Sequence, residues 1–185
     1  GRIQPEMASV RLQDMLEDIV NQNQGIAGWQ GTPMKLVAGN YTVATDKALL
    51  STMVQNLVSN ALKFTPRGKG ILVGARRHAG RISVQVWDQG SGIDRQHTGA
   101  IFEEFYQIRG YGSEDDQGVG LGLSIVRRLA RLIGCSIRVR SHLGRGSMFS
   151  IDGLVEAEPL PAPVIRGRAG PIGAHMNAMH ILLIE

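Results

Sequence analysis

The sequence predicts an α/β domain, and three observations carry that prediction. Apolar residues recur at helical spacing in separate stretches of the chain. Short runs rich in Val, Ile and Thr, bounded by Gly, Asn and Pro, lie between and after them. The chain has 185 residues, 43% of them hydrophobic, which supplies one core of ordinary size without covalent staples. The first helix falls within residues 9–26, where Leu12, Met15, Leu16, Ile19 and Val20 share a face. "MKLVAGNYTVATD" (34–46) reads as a hairpin or a pair of short strands around Gly39-Asn40. Thr45 or Asp46 then caps a second helix over about 46–63, and the turn "TPRGKG" ends it before Pro66. "GILVGARRH" and "RISVQVWD" form a hairpin across Ala79-Gly80. Residues 94–117 lack periodicity and read as a mobile loop with one short helix near 100–105. "LGLSIVRRLARLIG" is a further helix stopped by Gly134, and "CSIRVRS" with "GSMFSIDG" makes a final hairpin around 143–145. After residue 153 the stretch to 178 is rich in Pro, Gly and Ala and reads as a linker. "MHILLIE" (179–185) resumes a buried-strand pattern and reads as the start of a second domain.

Composition narrows the function. The formal charge is +4, which permits an anionic ligand without requiring one. Basic residues are scattered and only 5% of the chain is aromatic, so stacking platforms for nucleic acid are not expected. No apolar run reaches the roughly 18 residues of a membrane span, and the N-terminal stretch has no hydrophobic core of a signal peptide. A soluble cytoplasmic domain without membrane contact of its own is expected, whether or not a parent protein is anchored. The one cysteine, Cys135, cannot form a disulfide within the chain and reads as a small buried residue in a reducing compartment.

Chemistry concentrates in three places. On the second helix, Asn56, Asn60 and Lys63 fall at i, i+4 and i+7 and share one face, opposite an apolar stripe that includes Leu50, Met53, Val54 and Leu57. Asn is a mediocre helix former, so two of them a turn apart ask for a reason. An amide oxygen is a hard ligand that suits Mg²⁺, and a lysine one turn on can neutralise a phosphate. Next, "DQGSGI" (88–93) follows an apolar strand. Its glycines allow a sharp turn and close approach of a flat ligand, and a carboxylate placed there can accept from an amino group. Third, "GVGLGLS" (118–124) opens a helix with Gly118, Gly120 and Gly122 at alternate positions, exposing successive N–H groups where the helix dipole favours phosphate. It fits neither the dinucleotide fingerprint nor a P-loop.

In order, "NLVSNALKFT" (56–65), "DQGSGI" (88–93), "IFEEFYQ" (101–107), "GVGLGLS" (118–124) and "GRGSMFSI" (144–151) resemble the N, G1, F and G2 boxes and closing hairpin of sensor histidine kinase ATP-binding domains. That branch belongs to a wider group with gyrase, Hsp90 and MutL. The resemblance covers about residues 8–153. It implies a two-layer α/β sandwich, with a mixed, largely antiparallel sheet and helices on one face. It also implies ATP and Mg²⁺ as cofactors. Asn60 would hold the metal, with Asn56 close by, and Lys63 and Phe64 would flank the phosphates and sugar. Asp88 would accept the adenine amino hydrogen beside Gly90, Gly92 and Ile93. Residues 94–117 would form a lid anchored by Phe102 and Phe105, with Arg109 a candidate to reach the γ-phosphate. Gly118, Val119, Gly120, Leu121, Gly122 and Leu123 would form its hinge and a phosphate cradle.

The reaction expected from the resemblance is transfer of the γ-phosphate to a histidine on a separate dimerisation and phosphoacceptor domain. None of the five histidines precedes the N box or sits in an acceptor-like helix, so this chain reads as a catalytic fragment that does not phosphorylate itself. The tail resembles the first strand of a receiver domain, which points to a hybrid kinase with both partner domains in one parent protein. Three alternatives share the fold: an ATP hydrolase of the gyrase and Hsp90 kind, a serine kinase of the anti-sigma-factor type, and a non-catalytic nucleotide-binding scaffold. In the hydrolases a Glu four residues before the magnesium Asn activates water. Here that position is Asn56, an amide without useful basicity.

Overall fold

The computed structural model describes residues 4–108 and 119–158. The order is β1 (Ala8–Arg11), α1 (Leu12–Gln30), β2 (Met34–Ala38), β3 (Thr42–Thr45), α2 (Lys47–Phe64), β4 (Ile71–His78), β5 (Arg81–Asp88), α3 (Gly122–Leu132), β6 (Ser136–His142) and β7 (Gly146–Glu156), with two 3₁₀ turns between β5 and α3 among the described residues. The strands form one seven-stranded sheet in the order β1-β3-β7-β5-β4-β2, with β6 also on β7. Every pairing is antiparallel except β2 with β4.

Strand alternation decides which face is covered. Ile71 and Val73 of β4, Ile82, Val84 and Val86 of β5, and Phe149 and Ile151 of β7 are buried. They join Leu50, Met53, Val54, Leu57 and Val58 of α2, and Leu12, Met15, Leu16 and Ile19 of α1, in one core. The fold is therefore a two-layer α/β sandwich with its helices on one face. α2 begins at Asp46, whose carboxylate accepts from the Leu49 N–H at 3.0 Å. α1 ends at Gly31, where a left-handed φ of 67° lets its N–H return to the carbonyls of Ala27 and Gly28. Ala79 and Gly80 both take positive φ, 49° and 73°, the conformation a two-residue hairpin of this hand requires.

Three expectations need correction. β2 and β3 exist but do not pair with each other. β2 lies parallel to β4 at one edge, which puts Met34 and Leu36 on the same face as Ile71 and Val73, while β3 pairs with β1 and β7 on the other side. The short helix near 100–105 is present only as a single 3₁₀ turn at Ala100–Phe102, and a second 3₁₀ turn precedes it at Arg95–His97. Finally, β7 continues past Gly153 to Glu156, because β3 extends the pairing at Val155 and Glu156. The greater part of the expected linker and the receiver-like tail lie outside the described residues. Among the described residues, no helix is long and apolar enough to cross a membrane.

Candidate functional site

A cavity of about 470 Å³ opens between α2, the end of β5 and the start of α3, a size suited to a small-molecule ligand. Asn56, Asn60, Lys63 and Phe64 line it from α2. Asp88, Gly92 and Ile93 line it from the end of β5, and Val119, Gly120, Leu121, Gly122 and Leu123 from the approach to α3. Residues far apart in sequence thus meet around one space.

The α2 wall follows from its amphipathic pattern. The stripe that contains Leu57 and Ala61 is buried, which turns the face carrying Asn56, Asn60 and Lys63 towards the cavity. Asn56 donates from Nδ2 to the Thr52 carbonyl at 2.8 Å, one turn back, so one of its two amide hydrogens is spent on the helix itself. Its Oδ1 lies 3.1 Å from where a Cβ on Gly122 would stand, with Asn60 Nδ2 4.0 Å from the same point. A Cβ at the first residue of α3 would press on the Asn56 amide, which would have to give by a few tenths of an ångström. α3 starts without a side-chain cap, so its first N–H groups remain available for an anion. Lys63 is exposed, with Nζ 5.4 Å from the centre of the Phe64 ring.

The opposite end is held by backbone. Asp88 Oδ1 accepts from Gly90 N at 2.8 Å and from Ser147 N at 3.2 Å, which leaves Oδ2 clear of these two donors. Burial pushes the Asp88 carboxyl up from its ordinary value, against the Gly90 and Ser147 donors that hold it down. A Cβ on Gly90 would collide with the Phe64 carbonyl, and one on Gly92, at φ 68°, with the His142 carbonyl. The turn is tied further by Gly144 N donating to Ser91 O at 2.6 Å and Ile93 N donating to Ser141 Oγ at 2.7 Å.

Not every expected residue reaches the cavity. Gly90 is packed behind Asp88 and Phe102 is built into the core, so neither lines the space. Phe105 is 67% exposed and also stands outside it. Its φ of 63° turns the side chain outwards, while its backbone N–H donates to Gly120 O at 3.1 Å. The loop is thus tied at Phe105 by backbone and at Phe102 by side chain. The three alternate glycines are not equivalent: Gly120 needs its φ of 75°, Gly122 leaves room beside the Asn56 amide, and Gly118 lies outside the described residues, as does Arg109. The cavity also takes Ser91, Ile101, Tyr106, Ser147 and Phe149, which the sequence reading did not single out. Ser147 reaches the cavity through the non-local pairing of β5 with β7, which sets it directly opposite Asp88. Tyr106, held by a 2.6 Å hydrogen bond between its hydroxyl and His97 Nδ1, was hidden in an aperiodic segment.

The donor set can be tested against a metal. Among the described residues, no cluster of three or more His, Cys, Asp and Glu could hold an ion. The α2 amides fit Mg²⁺ instead, because that ion takes one or two protein oxygens and completes its shell with water and phosphate.

Comparison with known proteins agrees with this geometry. Residues 45–156 match the family described as histidine kinase-, DNA gyrase B-, and HSP90-like ATPase. The sensor-like histidine kinase SenX3 of Mycobacterium tuberculosis is 33% identical over 156 residues, covering 83% of this chain and 38% of that protein. The autoinducer 2 sensor kinase/phosphatase LuxQ of Vibrio vulnificus is 40% identical over 147 residues, covering 76% of this chain and 17% of that protein. Among solved structures, full-length ShkA in complex with AMPPNP superposes with a TM-score of 0.76 at 29% identity, covering 86% of this chain and 34% of that one. The chain belongs to the histidine kinase-, DNA gyrase B- and HSP90-like ATPase family. Its relatives put it in the histidine kinase branch, as an ATP-binding catalytic domain. It spans well under half the length of these curated relatives.

Proposed function

We propose that this chain binds Mg-ATP and passes the γ-phosphate to a histidine on a separate phosphoacceptor domain, as one step of two-component signalling. The observation that carries the reading is the pairing of two unlike ends in one cavity. Asp88 stands at one end, and Asn56, Asn60, Lys63 and the uncapped start of α3 at the other. In this reading Asp88 accepts the exocyclic amino hydrogen of adenine, and the glycines at 90 and 92 let the flat base approach. Asn60 is the metal ligand. Lys63 and the N–H groups from Gly120 to Leu123 bind phosphate oxygens, supported by the α3 dipole. When bound, Mg²⁺ neutralises phosphate charge and favours displacement at the γ-phosphorus.

Kinase activity is favoured over hydrolysis by position 56. The Asn56 side chain is a neutral amide without useful basicity, so this position offers no base to activate water. Similarity to SenX3, a sensor-like histidine kinase, and to LuxQ, a sensor kinase/phosphatase, supports a kinase role. The partners proposed are a phosphoacceptor/dimerisation domain and a receiver domain, with a cytoplasmic location for this domain. The test supplies γ-labelled ATP and Mg²⁺ to this chain with and without a separate histidine phosphoacceptor domain from a related kinase. Label should enter the acceptor domain and leave this chain unlabelled. Steady release of free phosphate regardless of the acceptor would instead indicate a hydrolase.

A further inference from the structure

The sheet has a second face, and it is not covered by any described helix. Cross-strand register places Lys35, Leu72, Trp87, Met148 and Arg140 in one row across β2, β4, β5, β7 and β6. Each alternates with a residue of the helix-covered side, so all five side chains belong to the outer face. Leu72, Trp87 and Met148 are absent from the core cluster although Met148 is buried, as expected for an apolar strip on the wrong side of the sheet for the core. Trp87 is 44% exposed, and Val37 in the next row is 63% exposed.

Charge on this face is one-sided. Lys35, Arg76, Arg138 and Arg140 are exposed around the strip. The acidic residue among them is Asp152, and it is already bound by Arg138 Nε at 2.6 Å and by the Ser150 hydroxyl at 2.8 Å. Among the described residues no ion pair engages Lys35, Arg76 or Arg140. An apolar centre with an unneutralised cationic rim is an interface in miniature: the centre supplies burial and the rim selects an anionic partner.

We propose that this outer sheet face docks an acidic protein surface that carries apolar side chains at its centre, seated over Trp87 and Leu72 and ringed by carboxylates facing Lys35 and Arg140. A second copy of this chain is disfavoured, because the face would meet its own positive charge. Nucleic acid is disfavoured too, since the strip is mainly aliphatic and offers one aromatic ring where stacking platforms use several. The proposal is independent of the nucleotide reading, as none of these residues lines the cavity.

The test uses the whole chain carrying Trp29→Phe, which leaves Trp87 as the sole tryptophan reporter. The probe is a soluble peptide with glutamates flanking a central Leu-Phe pair, and the controls are the same peptide with glutamine for glutamate, a single-stranded oligonucleotide and phosphatidylserine vesicles. The acidic peptide should shift Trp87 fluorescence, bind at least about tenfold more tightly than the glutamine version at low salt, and weaken as salt screens the charges. Lys35→Glu with Arg140→Glu should abolish that preference while nucleotide affinity is retained, and Trp87→Ala, followed by labelled peptide, should weaken binding. Binding that ignores these substitutions would overturn the proposal. So would tighter binding of the oligonucleotide or the vesicles, or self-association that the charge substitutions remove.

Discussion

At the Asp88 end of the cavity the backbone leaves almost no freedom, whereas at the Asn56–Asn60 end the side chains stand ready without being used. Gly90, Gly92 and Gly146 each occupy a position where a Cβ would strike a neighbouring carbonyl, and Asp88 accepts two backbone N–H groups. On α2, by contrast, Asn56 bonds only to its own helix among the described contacts and Lys63 is exposed at the cavity wall. The Asp88 end is thus preorganised by the fold, at the expense of tolerance to substitution. The Asn56–Asn60 end, proposed to bind phosphate and metal, is assembled from side chains whose partners would arrive with the ligand, so substitutions there should alter function and spare stability.

The sharpest way to break that contrast is Gly146→Ala. Gly146 has a φ of 107°, and its Cβ would overlap the Asp88 backbone carbonyl. Strain and overlap together should cost about 3 kcal/mol or more, read by urea unfolding. A mutant of unchanged midpoint would show that this end is not rigid. Asn60→Ala should do the reverse. Its thermal unfolding should stay within about 0.5 kcal/mol of wild type, as for a surface substitution, while Mg²⁺ loses its effect on ATP affinity and phosphotransfer disappears. An equally strong Mg²⁺ effect in this mutant would move the metal ligand elsewhere. Asn56→Glu sharpens the same end by restoring a carboxylate where the hydrolase relatives have one. Acceptor-independent phosphate release should then rise above the wild-type rate in a coupled assay, and no rise would mean that the base alone does not make a hydrolase of this site.

The smallest effect expected lies outside the site and calibrates the rest. The Asp46 carboxyl is held below its ordinary value, first by the Leu49 N–H and then by that of Glu6. A lowered folded value means the cap stabilises fully above the unfolded value, near pH 4, and loses its contribution as pH falls through the folded one. Asp46→Ala should cost about 1 kcal/mol at neutral pH, and the gap to wild type should close in acid. A gap that stays constant down the acid limb would remove the charge from the explanation.

How much of this was legible depended on range. α2, its capping aspartate and its amide face are local events, and a helical period displays them directly in Leu50 to Lys63. The hairpins at Ala79-Gly80 and at 143–145 are equally local. The pairing of β2 is not: no residue in "MKLVAGNYTVATD" says that β2 finds β4 across an intervening helix, because that choice is made by the shared core. Ser147 and Tyr106 were hidden for the same reason, reaching the cavity through register and loop packing rather than through any spacing in the chain. Phe105 misled because two phenylalanines in "IFEEF" look alike until a positive φ sends one of them outwards.

The central claim is that Asp88 selects adenine within this cavity, and calorimetric titration of ATP and GTP into wild type and Asp88→Asn tests it most directly. Burial raises the folded carboxyl above its ordinary value, so the charged form destabilises the fold at neutral pH, and that cost fades as pH falls through the folded value and is gone below the unfolded one. Removing the charge should therefore leave the ligand-free domain at least as stable at neutral pH, since asparagine keeps an oxygen for Gly90 and Ser147. Binding should separate from stability. Wild type should bind ATP and reject GTP, whose ring carbonyl faces the carboxylate with no hydrogen to give, and the mutant should lose about 1.5–3 kcal/mol of ATP affinity. A folded mutant that binds ATP as tightly as wild type, or a wild type that binds both nucleotides alike, would contradict the account.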